Sequence, residues 1–334
     1  MSDPQEQNFQ TPPPPPATET PAPRPTKLRP VAIALFVIGV LVLIGGIGKF
    51  IPGGVGTGGA LAFLGILLFA LSFIPLPKVA EAEPPMSPME RVLGMFYEPT
   101  RVFRNLRAYP HWAAAFTVVL VLTVAYSFAF TRRITPERIV NHRVDKVAEM
   151  GPPFTPPPER LESMRADGIE ELKNPVQRAG LIAKAAVGIF TFSAVVAALY
   201  MVCILAFGGR INYWQAVAIY FYSSLPVIAI QKILSLVILY LKQPEDIHPI
   251  LGQESLVQDN LGILFTPAEH PVLFVLASFI GVLSFYGLWL RAKGLQHGGQ
   301  RVSSGAAWGA ALTLWLLGVI LITIVTALFP GFIS

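Results

Sequence analysis

Seven uninterrupted apolar stretches constrain this chain more than any other feature: residues 31–50, 58–76, 112–130, 180–207, 214–241, 271–290 and 306–329. Each holds 19 or more residues, mostly Leu, Val, Ile, Ala and Phe. A helix needs roughly 20 such residues to cross a hydrocarbon layer about 30 Å thick. Lipid offers no partner to backbone N–H and C=O groups, so each run must satisfy its own backbone as a helix. The expected fold is all-α, a polytopic membrane helix bundle of about seven transmembrane helices. Composition agrees: 53% of residues are hydrophobic and 13% charged, and the mean hydropathy is +0.57. In such a chain the net charge of +5 reads as basic loops held against anionic headgroups, not as a nucleic-acid surface. Membrane lipids are therefore expected partners, and nucleic acid is not.

The segments between the runs have distinct characters. Residues 1–30 contain ten prolines and almost nothing apolar, so they cannot offset their own ordering entropy. They are expected to be a disordered, proline-rich cytosolic tail, either simply solvated or docking a partner through its P-x-x-P matches. The tail is polar and the first run is long, which predicts a retained signal anchor and not a cleaved leader. Residues 31–76 form two runs around a glycine-rich turn at 51–57, a transmembrane hairpin.

Residues 77–111 are charged but ordered by pattern. Ser87-Pro88-Met89-Glu90 is a capping-box helix start with proline in the first turn. Met89, Val92, Leu93 and Phe96 recur at helical spacing, and Pro99 interrupts. Beyond it Arg101, Arg104 and Arg107 alternate with Val102, Phe103 and Leu106. This amphipathic lead-in segment suits helices lying in the headgroup plane or packed on a soluble partner. Arg101, Arg104, Arg107, Phe96 and Phe103 are its candidate membrane-surface or partner contacts.

Within 112–334, the loop at 131–179 is expected to hold two short polar helices, starting after Thr135 and ending before the Asn174-Pro175 helix start, with a proline break between them. Its nine basic and eight acidic residues nearly cancel, which describes a solvated lobe. Loop 242–270 is acidic, and loop 291–305 is basic through Arg291, Lys293 and Arg301. With the N-terminus in the cytoplasm, the cytoplasmic segments hold 12 basic residues against Lys49 and Lys242 in the short outer ones. The positive-inside rule then predicts N-in and C-out. Arg132 and Arg133, beside a helix end on the outer side, count against it.

Few residues offer chemistry. Lys232, with Gln231, lies about 27 Å along its helix from Trp214, so it either snorkels to the outer boundary or lines a cavity. Tyr222, Ser223, Ser224 and Pro226 put hydroxyls and a kink at mid-membrane. With Gln231 and Lys232 they form the candidate intramembrane polar site, serving either ligand coordination or plain interhelical hydrogen bonding. Lys184 is expected at the outer interface. Gly305 and Gly309 are a GxxxG pair that would permit close helix packing. The single cysteine, Cys203, reads as a small packing residue. The five histidines form no i, i+4 pair and no HExxH, and no nucleophile or nucleotide motif sits on a suitable scaffold. No enzyme, no metal and no cofactor are expected.

Three stretches then carry a resemblance. They are Met89-Glu-Arg-Val-Leu-Gly-Met-Phe-Tyr-Glu-Pro-Thr-Arg-Val-Phe-Arg-Asn-Leu106 with Tyr109-Pro-His-Trp112; Phe207-Gly-Gly-Arg-Ile-Asn-Tyr-Trp-Gln-Ala216 with Tyr222-Ser-Ser-Leu-Pro226; and Ser284-Phe-Tyr-Gly-Leu-Trp289 with Ala292-Lys-Gly294. In this order and spacing, the chain from about Pro88 onward resembles the Yip1 domain family in its bacterial form. The resemblance implies a five-helix membrane domain over 112–334, preceded by a cytosolic amphipathic segment, with the first hairpin as an added module. Eukaryotic relatives bind small GTPases of the Rab class. This chain lacks their Asp-Leu-Tyr-Gly-Pro signature, and Phe96-Tyr-Glu-Pro99 is the nearest approach. The expected function is a non-catalytic interaction or organising protein of the bacterial cytoplasmic membrane, with a membrane or cytosolic protein as partner. The alternative is a transporter or lipid-handling protein using the kinked helix 214–241.

Overall fold

The structure is a computed structural model, and it describes residues 28–48, 50, 54–73, 84–149 and 155–329. The proline-rich tail up to residue 27, Lys49, the turn residues 51–53 and Pro152–Pro153 lie outside the described residues. Thirteen α-helices follow one another among the described residues: α1 Leu28–Ile47, α2 Gly54–Leu71, α3 Pro88–Tyr97, α4 Pro99–Ala108, α5 Ala113–Ile134, α6 Pro136–Ala148, α7 Pro158–Lys173, α8 Pro175–Ala206, α9 Tyr213–Leu241, α10 Leu251–Glu254, α11 Pro271–Ser278, α12 Val282–Gly298 and α13 Ser304–Leu328. Among the described residues there is no strand, only two isolated bridges, Arg210–Gln300 and Asn260–Gly281. Six helices among the described residues are long and apolar enough to cross a membrane: α1, α2, α5, α8, α9 and α13. The protein is an all-α, polytopic membrane bundle.

The apolar run at 271–290 does not form one helix. It is cut at Phe279–Gly281 into α11 and α12. The cause lies in the preceding loop, which takes over the backbone groups at the cut: Leu261 N–H donates to the Ile280 carbonyl at 3.0 Å and Val282 N–H to the Asp259 carbonyl at 3.3 Å. The Asp259 carboxylate then accepts from Leu283 N–H at 2.7 Å, placing a negative charge at the start of α12 where the helix dipole favours it. α12 in turn continues to Gly298. Arg291 and Lys293, expected in a loop, are helical, and the Arg291 guanidinium lies 5.9 Å from the centre of the Tyr220 ring.

Chain direction sorts the connections onto two ends. One end carries α3, α4 and the turns at 207–212 and 299–303. Those turns are joined by reciprocal backbone hydrogen bonds between Arg210 and Gln300 at 2.9 and 2.7 Å. Here Trp112, Phe116, Phe190, Trp214 and Phe221 form one aromatic cluster locking α5, α8 and α9 together, with Trp112 and Trp214 stacked at 6.5 Å. The other end carries the polar lobe of α6 and α7 and the loop 242–270. Thr135, with φ 72°, turns the chain from α5 into α6. Arg165 pairs with Asp145 at 2.6 Å and Lys173 pairs with Glu137, tying α7 to α6. Asn174 caps α8 by accepting from Val176 N–H. α8 has 32 residues, about 48 Å at 1.5 Å per residue, so its first turns extend beyond a membrane's hydrocarbon into this lobe.

The hairpin of α1 and α2 is held by glycines at backbone-to-backbone approach. A Cβ on Gly39 would lie 2.3 Å from Ala62 N, and one on Gly58 would lie 2.3 Å from Leu43 N. Helix formation begins at Gly54, inside the stretch expected to be turn. The expected GxxxG pair behaves differently: Gly305 meets only Ser303 Oγ at 4.0 Å, and Gly309 faces the Phe207 ring. The close small-residue pair is instead Gly294 and Gly298 on α12. They admit Ile219 of α9, and Gly294 also admits Phe103 of α4.

Candidate interaction surface and intramembrane polar site

The lead-in pair α3–α4 starts as its sequence prescribes. Ser87 and Glu90 form a reciprocal capping box, and the Ser87 backbone N–H, followed by its hydroxyl, holds the exposed Glu90 carboxyl below the usual carboxylate range. Glu98 separates the two helices, and Gly94 lets Val102 approach so closely that a Cβ would lie 2.8 Å from it. Val102, Phe103 and Leu106 are fully buried against the bundle. Gln215 Nε2, at the start of α9, donates to the Arg107 carbonyl at 2.6 Å.

A buried polar joint fixes the pair. Asn105 Oδ1 accepts from Arg91 Nε at 3.0 Å and from Met86 N–H at 3.3 Å, while Asn105 Nδ2 donates to the Pro84 carbonyl at 2.9 Å. Arg91 and Asn105 are 2% and 1% exposed. Neither stands out when charges are read as surface features. The available signal was Asn105 itself, a polar residue in register with the apolar stripe of Val102 and Leu106.

The expected surface residues divide. Arg101 is exposed and pairs with Glu98 at 3.3 Å. With Arg104, Tyr97 and Trp289 it borders a groove of about 450 Å³. Arg107 is half-buried, with its Nε shielded and unbonded among the described residues, so the basic face is Arg101 and Arg104 only. Three-residue spacing falls short of a 3.6-residue turn and lags about 60° per step, which carries Arg107 round toward the bundle. Phe103 is a second correction: it is fully buried in the core and offers nothing to a surface. Phe96 is exposed, and with Met89, Leu93 and Tyr97 it gives α3 an uncovered apolar side.

In α9 the structure gathers the polar residues but does not make them a single cluster. Tyr222, Ser223, Ser224 and Pro226 are buried. Ser223 Oγ donates to the Tyr220 carbonyl at 3.0 Å, while the buried Tyr222 hydroxyl neighbours Arg91 and the Ser224 hydroxyl neighbours Tyr220. Pro226 has no N–H to give the Tyr222 carbonyl. Lys232 sits further along, half-buried, donating to the Glu254 carbonyl with its ammonium 4.7 Å from the centre of the Tyr126 ring. Gln231 is half-buried beside it in sequence. Lys184 lies 3.8 Å from Glu171, at the lobe end. No group of three or more His, Cys, Asp or Glu residues able to hold a metal occurs among the described residues.

The fold and these two regions define a polytopic α-helical membrane protein whose ordered juxtamembrane helices are built into the bundle. The chain belongs to the Yip1 domain family, whose model matches residues 93–325. The match takes in α4 through most of α13 and leaves the first hairpin outside it. No curated protein and no solved structure gives a match.

Proposed function

We propose that the protein is a non-catalytic organiser of the bacterial cytoplasmic membrane, recruiting a second protein through its lead-in helices. One observation carries this reading: α3 and α4 are fixed to each other by a buried polar joint and to the bundle by Gln215 and the buried Val102, Phe103 and Leu106, yet Met89, Leu93, Phe96 and Tyr97 stay uncovered beside Arg101 and Arg104. Ordering such a surface in advance reduces the entropy cost of binding, and aromatic and arginine side chains are the residues that most often dominate interfaces. The distribution of basic residues supports a cytoplasmic position for the same helices and an outer position for the C-terminus. A periplasmic reporter fused after Ser334 is expected to be active, and a cytoplasmic one silent.

The transporter alternative draws on α9. The engagement of Lys232 by the Glu254 carbonyl and the Tyr126 ring supports an anchoring role for that cation. The deciding experiment places a photo-crosslinking amino acid at Phe96 in native membranes. A discrete protein adduct that disappears in Arg101→Ala/Arg104→Ala is the expected result. Lipid adducts alone, or an adduct indifferent to the arginines, would overturn the adaptor reading.

A further inference from the structure

Two cavities meet at the lobe end of the bundle; both have mainly apolar walls, and the second adds a set of charged groups. The first, about 370 Å³, lies between α5 and α8 and is walled by Val124, Phe128, Ile182 and Ala185, with Arg178 beside them. The second, about 530 Å³, lies under α6 and α7 and presents Arg143, Asp167, Glu171 and Gln253. They share Ser127, Thr131, Leu172 and Leu181 as a common wall. Each falls within the roughly 300–1,000 Å³ typical of small-molecule sites.

Their position matters as much as their size. The apolar groove runs along the second half of α5 and the first turns of α8. α8 exceeds by about 12 residues the ~20 needed to span hydrocarbon, so the groove straddles the level where acyl chains end and headgroups begin. The Arg178 guanidinium lies 4.5 Å from the centre of the Phe128 ring, a cation set at the edge of an apolar slot. The polar chamber continues outward from the shared wall and carries both signs of charge. Asp167 and Glu171 are one helical turn apart on α7. Glu171 is also 3.8 Å from Lys184.

We propose that this double cavity binds one phospholipid of the surrounding membrane, of the class whose headgroup joins a phosphate to a primary ammonium. The acyl chain occupies the groove between α5 and α8. The phosphate meets Arg178 and Arg143, and the ammonium meets Asp167 and Glu171. A purely anionic headgroup satisfies the arginines but faces Asp167, which unlike Glu171 beside Lys184 has no counter-charge within ion-pair distance among the described residues. A lone cation leaves the arginines unanswered. A zwitterion matches both sets, and charge-assisted hydrogen bonds make each match count.

The test uses the full chain, purified in mild detergent and titrated with palmitoyl-oleoyl phosphatidylethanolamine or phosphatidylglycerol, with bound lipid read by native mass spectrometry. One phosphatidylethanolamine per chain is expected, preferred over phosphatidylglycerol by about tenfold, the order that one charge-assisted contact carries. Ala185→Trp fills the groove and is expected to abolish binding of both lipids. Asp167→Asn/Glu171→Gln, on the solvated face of the lobe, is expected to keep the chain folded and to erase or reverse the headgroup preference. Equal binding of the two lipids by the unaltered chain would overturn the proposal. So would phosphatidylethanolamine binding that survives a folded Ala185→Trp, or a preference unchanged in the double variant.

Discussion

The imidazole rings of His142 and His248 meet edge to face, with centroids 4.9 Å apart and planes at 82°, and they join the lobe to the loop that follows α9. His248 Nδ1 accepts from the backbone N–H groups of Ile250 and Leu251 at 3.2 and 3.1 Å, which requires that nitrogen to be unprotonated. Arg138 adds a clamp from the same helix, donating to the carbonyls of Pro244, Glu245 and Ile247, the last two at 3.0 and 3.1 Å. Burial holds both imidazoles below their usual value of 6.5. Next to burial, the neighbouring His142 lowers His248, and Lys146 and Arg138 lower both; Asp145 and Glu149 act the other way on His142.

This junction is expected to loosen in acid. With the docked pKa values depressed, the open form binds protons more readily. The docking contribution is therefore complete above about pH 6.5 and falls as the pH drops from there toward the docked values. Hydrogen exchange of residues 243–256, corrected for intrinsic rates, is expected to accelerate between pH 7.5 and 5. His142→Phe should flatten that dependence. An unchanged protection profile across the range would contradict it.

The Arg91–Asn105 joint makes a sharper prediction about stability. Asn105→Ala leaves a buried guanidinium without its acceptor, which is expected to cost about 2–3 kcal/mol and to lower the melting temperature in detergent. Arg91→Met/Asn105→Leu removes both polar partners and is expected to recover part of that loss, since apolar replacement of a whole pair is much less costly than orphaning one member. Additive losses in the double variant would show that the two residues are not coupled.

How much of this was legible beforehand depended on whether the signal was local. The Ser87 capping box, Thr135-Pro136 and Asn174-Pro175 are local, and α3, α6 and α8 begin where they place them; the apolar runs are local too, although α2 begins at Gly54, ahead of its run. The break at Phe279–Gly281 was not, because its cause sits 20 residues upstream in Asp259 and Leu261, whose backbone contacts only the fold creates. The candidate surface was half legible for a related reason. Charge and spacing picked out Arg101, Arg104 and Phe96, which are exposed. The depth of Phe103 depends on the glycines of α12, which no reading of α4 alone contains, whereas the inward turn of Arg107 follows from the angular step of α4 itself.

The α1–α2 hairpin allows a test with an internal control. Gly58→Val puts side-chain atoms where Leu43 backbone already lies, and neither backbone can yield as a side chain would. A loss of at least about 1–3 kcal/mol is expected, as for overpacked cores, read as a lowered melting temperature. A Cβ added at Gly59 would meet nothing within 4 Å among the described residues. Gly59→Ala is therefore expected to be neutral, or to gain up to about 1 kcal/mol from better helix propensity. Equal effects at the two positions would mean that the helices are not in contact there.

The loop after α9 is held at a second point, and there the adaptor and transporter readings diverge. Tyr126 donates its hydroxyl to the Gly252 carbonyl, Lys232 donates to the Glu254 carbonyl, and Ser235 Oγ accepts from Leu256 N–H at 2.9 Å. Three side chains from two membrane helices thus occupy the backbone of a single turn, α10 and the residues after it. Lys232→Met keeps the length of the side chain and removes its donor and its cation–π contact, the latter worth about 0.5–2 kcal/mol. If Lys232 is an anchor, limited proteolysis within 243–256 should speed up several-fold, while crosslinking from Phe96 at the opposite end stays as in the unaltered chain. If it serves a transport pathway, the loop should stay protected, and a transported or bound small molecule should be lost instead.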